Sequence, residues 1–363
     1  MIPIARFLLN TARALRLTAP GMAGSSCLVA HPVRLAQVIL SGERRRKANE
    51  RRLGVPVPRF CILSVTWRCN LDCVGCYTRG YSRDSELSSR TVERVIREAN
   101  ELGTFFFVIV GGEPLMTPGL LELLGEFDQA LFFLFTNGTL LGEAEARRIR
   151  AARNILPIVS LEGQAALTDA RRGQGVAQKV AEAMHSLKRA RVPFGFSAMV
   201  THQNVRQVTS REWFDELWQA GSRFGFLIDY VPVPTDGTPG LTLTDADRAL
   251  RAEAAEKRFN EARPMALSFP FHEYTTGECQ AAGRGMIHIN ADGHVEPCPF
   301  CHYAADCIHD KPLPEILASP FFAELRGQIS RLPNPLSECL LFAHRERVRH
   351  IAQKTGAYST ERA

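Results

Sequence analysis

Cys69, Cys73 and Cys76 lie within eight residues, spaced C-x3-C-x2-C in "CNLDCVGCY". Three thiolates on one short loop can bind three irons of a [4Fe–4S] cluster and leave the fourth open. An open metal position suits catalysis, whereas a structural site fills all of its positions. Zinc is the competing metal, but it needs a fourth protein ligand nearby, and residues 77–88 contain no Cys or His. A second group, Cys279, Cys298, Cys301, Cys307 and Cys339, follows some two hundred residues later. Zinc remains open there, since "CPFCHYAADC" also offers His302 to a Cys3His set. The other His residues of that region are His272, His288, His294 and His309, each a candidate acid or base, though more often structural. Cys27 and Cys61 stand apart and read as small buried apolar residues.

Between the two groups runs "GGEP" (111–114). Gly111 and Gly112 allow a close backbone approach, Glu113 offers a carboxylate to an ammonium, and Pro114 stiffens the turn. The elements that must hold these residues follow a regular alternation. Near-continuous apolar runs at 61–66, 104–112, 131–136, 155–162, 193–201 and 224–233 read as strands. Helical patterns at 88–102, 117–127 (Thr117 as N-cap), 143–151, 176–190 and 205–220 separate them. Strands of this kind form a parallel sheet buried on both faces. A closed barrel needs eight such units, so six predict an open, partial barrel with its site at the C-terminal strand ends. Beyond "PTDGTPG" (234–240), a turn-rich linker, come a helix near 244–262, a hairpin "MIHIN-ADG-HVEP" within a loop-like Cys-rich region, and a helix at 312–330.

The cysteine triad followed by Tyr77, after the first strand of such a series, resembles the radical S-adenosylmethionine (SAM) superfamily. "GGEP" is similar to that family's SAM-amine motif. "TNGT" with Asn137 and "SLEG" with Ser160 and Glu162 resemble its third and fourth strand ends; Glu162 replaces the usual Asp. "TDARRG" makes Arg172 a candidate for the SAM carboxylate, and "SAMVTHQN" places Ser197 toward the ribose. The resemblance implies that SAM chelates the open iron and is cleaved reductively to a 5′-deoxyadenosyl radical. That radical then takes a hydrogen from a peptide or, alternatively, from a small molecule or lipid precursor. A low-potential donor, flavodoxin or ferredoxin, is implied as partner. "C279-x13-G293-x4-C298" resembles the SPASM and twitch extensions that hold auxiliary [4Fe–4S] clusters. A full SPASM region needs seven cysteines, so the resemblance implies one auxiliary cluster, on Cys279, Cys298, Cys301 and Cys339 with Cys307 a bystander; the alternative set exchanges Cys307 for Cys301 or Cys339. A non-catalytic Fe–S or zinc module is the remaining alternative.

The 363 residues are 45% apolar and 23% charged, the composition of a globular protein. The apolar runs are too short to cross a bilayer and residues 2–15 lack a signal-peptide core, so the cytoplasm is the default. Residues 1–59 carry eleven Lys or Arg against Glu43 and Glu50, a net of +9 in a chain whose total is +6. "GERRRKANERR" is therefore either an anionic-surface contact or a solvated helix face. The expected organisation is a basic helical extension (1–57), a partial (β/α)6 TIM-type barrel (58–236), a SPASM/twitch-like region (237–345) and a tail (346–363).

Overall fold

A computed structural model of the chain describes residues 27–28, 31–233, 238–260, 264–270, 279–329, 332–333 and 338–361. Residues 2–15, most of the linker and His272 lie outside the described residues.

The six expected strands form: β1 (Phe60–Thr66), β2 (Phe106–Gly111), β3 (Leu131–Thr136), β4 (Ile155–Ser160), β5 (Gly195–Val200) and β6 (Phe224–Asp229). They pair in chain order, all parallel. Inward-pointing rings show how far the sheet curls. Phe133 on β3 meets Phe106 on β2 at 4.5 Å and Phe226 on β6 at 5.6 Å. Two strands three places apart can touch across the interior only if the sheet is strongly curved. Helices cover the outer face; Ser89–Leu102 is capped by Ser88, whose Oγ accepts from the Thr91 amide at 3.1 Å.

The sheet is wider than six strands. Helix Asp245–Asn260 leads back into β7 (Met265–Phe269), parallel to β6. The expected hairpin is present as β8 (Met286–Ile289) and β9 (His294–Glu296), turning at Gly293 with φ 89°. Instead of standing apart, β8 adds to the free edge of β1 in parallel, with Phe60 opposite Met286. Strands of four or five residues carry too little periodicity to be read from sequence, so β7 passed for loop. Three other expectations change, the 205–220 helix being two, Val205–Val208 and Arg211–Ala220. The second helix covers only Leu120–Gly125, because Gly119 rather than Thr117 sits at its start, in the left-handed region at φ 73°. The 312–330 helix is two helices, Leu313–Leu317 and Pro320–Gln328, broken at the proline. Near the C-terminus, helix Arg345–Thr355 leads to β12 (Tyr358–Ser359), which pairs with β10 (Tyr303–Ala304).

Candidate active site

A cavity of about 340 Å³ fills the curled sheet. Its apolar floor is built by strand-start residues, among them Phe60, Phe106, Phe133 and Met286; its polar roof lies at the strand ends. Cys69, Cys73 and Cys76 line the roof on one side, and Cys279, Cys298 and Cys339 line the same cavity on the other.

The triad loop is strapped down from two directions. The Val74 amide donates to Arg171 O at 3.0 Å. Gly112 N donates to Thr66 O at 2.7 Å, and Glu113 N donates to Arg68 O at 2.8 Å. This strap explains both glycines: Gly111 has φ 121°, and a Cβ on Gly112 would lie 2.0 Å from Arg68 O. The close approach expected at "GG" is thus first an approach of the chain to itself. Burial pushes the Cys69 and Cys73 thiols up, and the Cys76 thiol facing both adds to it. Arg172 and Arg171 beside Cys73 pull the other way, toward the thiolate that a metal ligand must be.

Glu113 has no exposed surface, and burial pushes its carboxyl up. One oxygen accepts from Thr136 Oγ1 (2.8 Å) and Leu115 N (3.1 Å); the other accepts from Asn137 N (2.7 Å). The carboxylate expected to meet an ammonium is instead tied to the end of β3, outside the cavity lining. Pro114 starts a 3-10 turn behind it and is likewise not in the lining. Asn137 lines the cavity and bridges to the triad loop, donating from Nδ2 to Asn70 Oδ1 at 2.9 Å. Tyr77 is also in the wall, its ring edge-on to Phe300 at 6.1 Å, and burial pushes its phenol up.

Glu162 is 1% exposed and also absent from the lining. Its Oε1 accepts from both Arg171 and Arg172, and its Oε2 accepts from Met199 N at 3.1 Å. Its four contacts leave the cavity two guanidiniums rather than a carboxylate. Burial opposes the charge of Arg172, but Glu162 and the Cys73 thiol hold its pKa up. Arg171 was not anticipated, although "ARRG" displayed it; only the fold shows that both arginines reach the lining. Ser160 and Ser197 face each other at 3.0 Å between Oγ atoms. Register places Ser197 level with Ser160 rather than at the strand end.

At the second cysteine group, burial raises the Cys298 thiol, and the nearby thiols of Cys339, Cys301 and Cys279 raise it further. Cys301 N donates to Cys298 O at 3.1 Å. Cys307 is elsewhere: it lies on β11 (Asp306–Cys307) paired with β9, among Asp310, Asp292 and Asp306. His302 is occupied, its Nδ1 2.7 Å from Glu361 and its Nε2 3.0 Å from Pro299 O. With both ring nitrogens bonded, it offers nothing to a zinc ion. Donor chemistry suits iron–sulfur clusters, with three thiols of the first group and three of the second lining one cavity; among the described residues no three metal-binding side chains are gathered tightly enough to hold a single metal ion.

A buried polar chain joins the two halves, and no sequence signal announced it. Ser64 Oγ on β1 lies 2.8 Å from His288 Nε2, and His288 Nδ1 lies 2.6 Å from Glu296. Asn290 Nδ2 also donates to Glu296, at 2.9 Å. Ser64, His288 and Glu296 have no exposed surface.

Comparison with known proteins agrees with this arrangement. The radical SAM superfamily model matches residues 63–214, and an iron–sulfur cluster-binding domain, SPASM, matches residues 279–340. Mycofactocin maturase MftC of Mycobacterium tuberculosis is 32% identical over 279 residues, 71% of this chain and 67% of that protein. The AdoMet-dependent heme synthase of Methanosarcina barkeri is 29% identical over 293 residues, 71% of this chain and 82% of that one. Among solved structures, Streptococcus suis SuiB bound to precursor peptide SuiA aligns with TM-score 0.67 at 18% identity, covering 88% of this chain and 78% of that chain. Native anSMEcpe with bound AdoMet and a peptide aligns with TM-score 0.63 at 20% identity, covering 78% and 87%. The chain belongs to the radical SAM superfamily, as an enzyme with a partial barrel and a C-terminal SPASM iron–sulfur domain.

Proposed function

We propose that this enzyme oxidises or cross-links a peptide held between its two cysteine groups. The observation that carries this reading is the single cavity bounded by both groups, polar at the strand ends and apolar below. Cys69, Cys73 and Cys76 would hold the SAM-binding [4Fe–4S] cluster, and Cys279, Cys298, Cys301 and Cys339 a second one. When bound, the first cluster supplies the low-potential electron for reductive cleavage of SAM, drawn from a flavodoxin or ferredoxin. Arg171 and Arg172, kept in place by Glu162, supply positive charge where a SAM carboxylate needs it. Ser160 and Ser197 present hydroxyls for a ribose, and the Gly111–Gly112 backbone borders the methionyl end. The apolar floor excludes water and accepts the side chain to be modified. Peptide maturation also fits the maturase relative and the peptide-bound neighbours of the same fold.

The aromatic floor equally suits a flat macrocycle, and the heme synthase relative makes that the second reading. Anaerobic reconstitution tests both. The expected result is about eight irons per chain, dithionite-dependent 5′-deoxyadenosine, and a mass change in a short peptide encoded beside the gene. About four irons would remove the second cluster, and modification of a tetrapyrrole but no peptide would establish the second reading.

A further inference from the structure

We propose that the outer face of helix Pro32–Leu53 is a docking surface for an anionic lipid bilayer. The helix packs its inner face on the barrel: Leu35 and Val38 are buried, and the Gly42 position is closed by the Phe105 ring. Both of its carboxylates turn inward as well. Glu43 pairs with Arg46 and Arg59, and Glu50 pairs with Arg46, which is 4% exposed. What remains outside is one-sided. Val33, Gln37, Leu40, Arg44, Lys47 and Arg51 are all exposed and recur at spacings of three and four, so they form one stripe along the helix. Among the described residues no carboxylate lies within ion-pair distance of Arg44, Lys47 or Arg51.

Two features favour lipid over an acidic protein. Val33 (73%) and Leu40 (58%) are the two most exposed large apolar side chains among the described residues, and both sit on this stripe. Apolar and basic residues sharing one helix face are the pattern of an interfacial helix, where apolar insertion and attraction to anionic headgroups act together. The sequence before the helix has the same character: residues 1–31 hold Arg6, Arg13 and Arg16 and no Asp or Glu. Among the described residues no helix is long and apolar enough to cross a membrane, so attachment would be peripheral and salt-sensitive.

The test uses the anaerobically reconstituted full chain and sedimentation with vesicles. One preparation is phosphatidylcholine alone; the other contains roughly 30 mol% phosphatidylglycerol. The expected result is binding to the second preparation only, lost when salt is raised from about 0.1 M to about 0.5 M. Arg44→Gln/Lys47→Gln/Arg51→Gln lowers the partition coefficient about 100-fold, near five-fold per cation. Val33→Ser/Leu40→Ser lowers it too, and both variants keep the deoxyadenosine yield of the parent. The proposal is overturned if the parent ignores anionic vesicles, or if the charge variant binds them equally well. It is also overturned if the stripe binds polyglutamate and not vesicles, which would assign the face to an acidic protein.

Discussion

Glu162 shows how one methylene redirects a residue. The glutamate in place of the family's usual aspartate reaches Arg171, Arg172 and the Met199 amide, and the two arginines, not the carboxylate, line the cavity. The Glu162→Gln variant keeps the bulk and removes the charge, leaving two largely buried guanidiniums uncompensated. We expect it to lose about 3 kcal/mol in a thermal or denaturant melt. SAM affinity should fall at least ~10-fold by equilibrium dialysis, with the iron count unchanged. Iron analysis also separates the cysteines. Cys339→Ala should fall toward the iron content of a one-cluster protein, while Cys307→Ala, whose thiol sits among Asp310, Asp292 and Asp306, should keep the full amount. The triad and "GGEP" could be read from residue types and spacing, whereas the choice among five cysteines rested on a family resemblance alone. The roles of Glu113 and Glu162 could not. Sequence shows a carboxylate near a site, but not which donors already use its lone pairs.

At the scale of elements, the periodic parts were legible. Six apolar strands and the helices between them follow from burial on both faces of a parallel sheet, which leaves a strong pattern. β7 escaped because five residues carry too little periodicity, and β8 was legible as a hairpin arm but not as the neighbour of β1. Helix Pro32–Leu53 was legible as a helix, but not which of its charges turn inward. Glu43 is the case in point: burial alone would raise its carboxyl, yet Arg46 and Arg59 hold it below its ordinary value of 4.5. A depressed acid stabilises the fold above its unfolded pKa and loses that contribution as pH falls through the lower folded value. Glu43→Gln should therefore cost about 1 kcal/mol at neutral pH. In urea melts at successive pH values, the gap from the parent should stay constant down to pH 4.5 and close below it.

At the scale of the molecule, the C-terminal residues are built into the barrel. β8 is bonded along β1, and Ser64, His288 and Glu296 lock that seam with no exposed surface. Phe60 finds its partner Met286 only 226 residues later. On a ribosome adding about 5–20 residues per second, the β1 edge stays open for roughly 10–45 s. Through that interval a row of backbone amides and carbonyls, flanked by Phe60, Ile62 and the other apolar strands, is a template for any passing extended chain. The nascent protein thus has a vulnerable period whose length is fixed by topology rather than by stability. A stop codon anywhere between β7 and β8 would make that period permanent, turning an otherwise well-ordered barrel into a seed for aggregation.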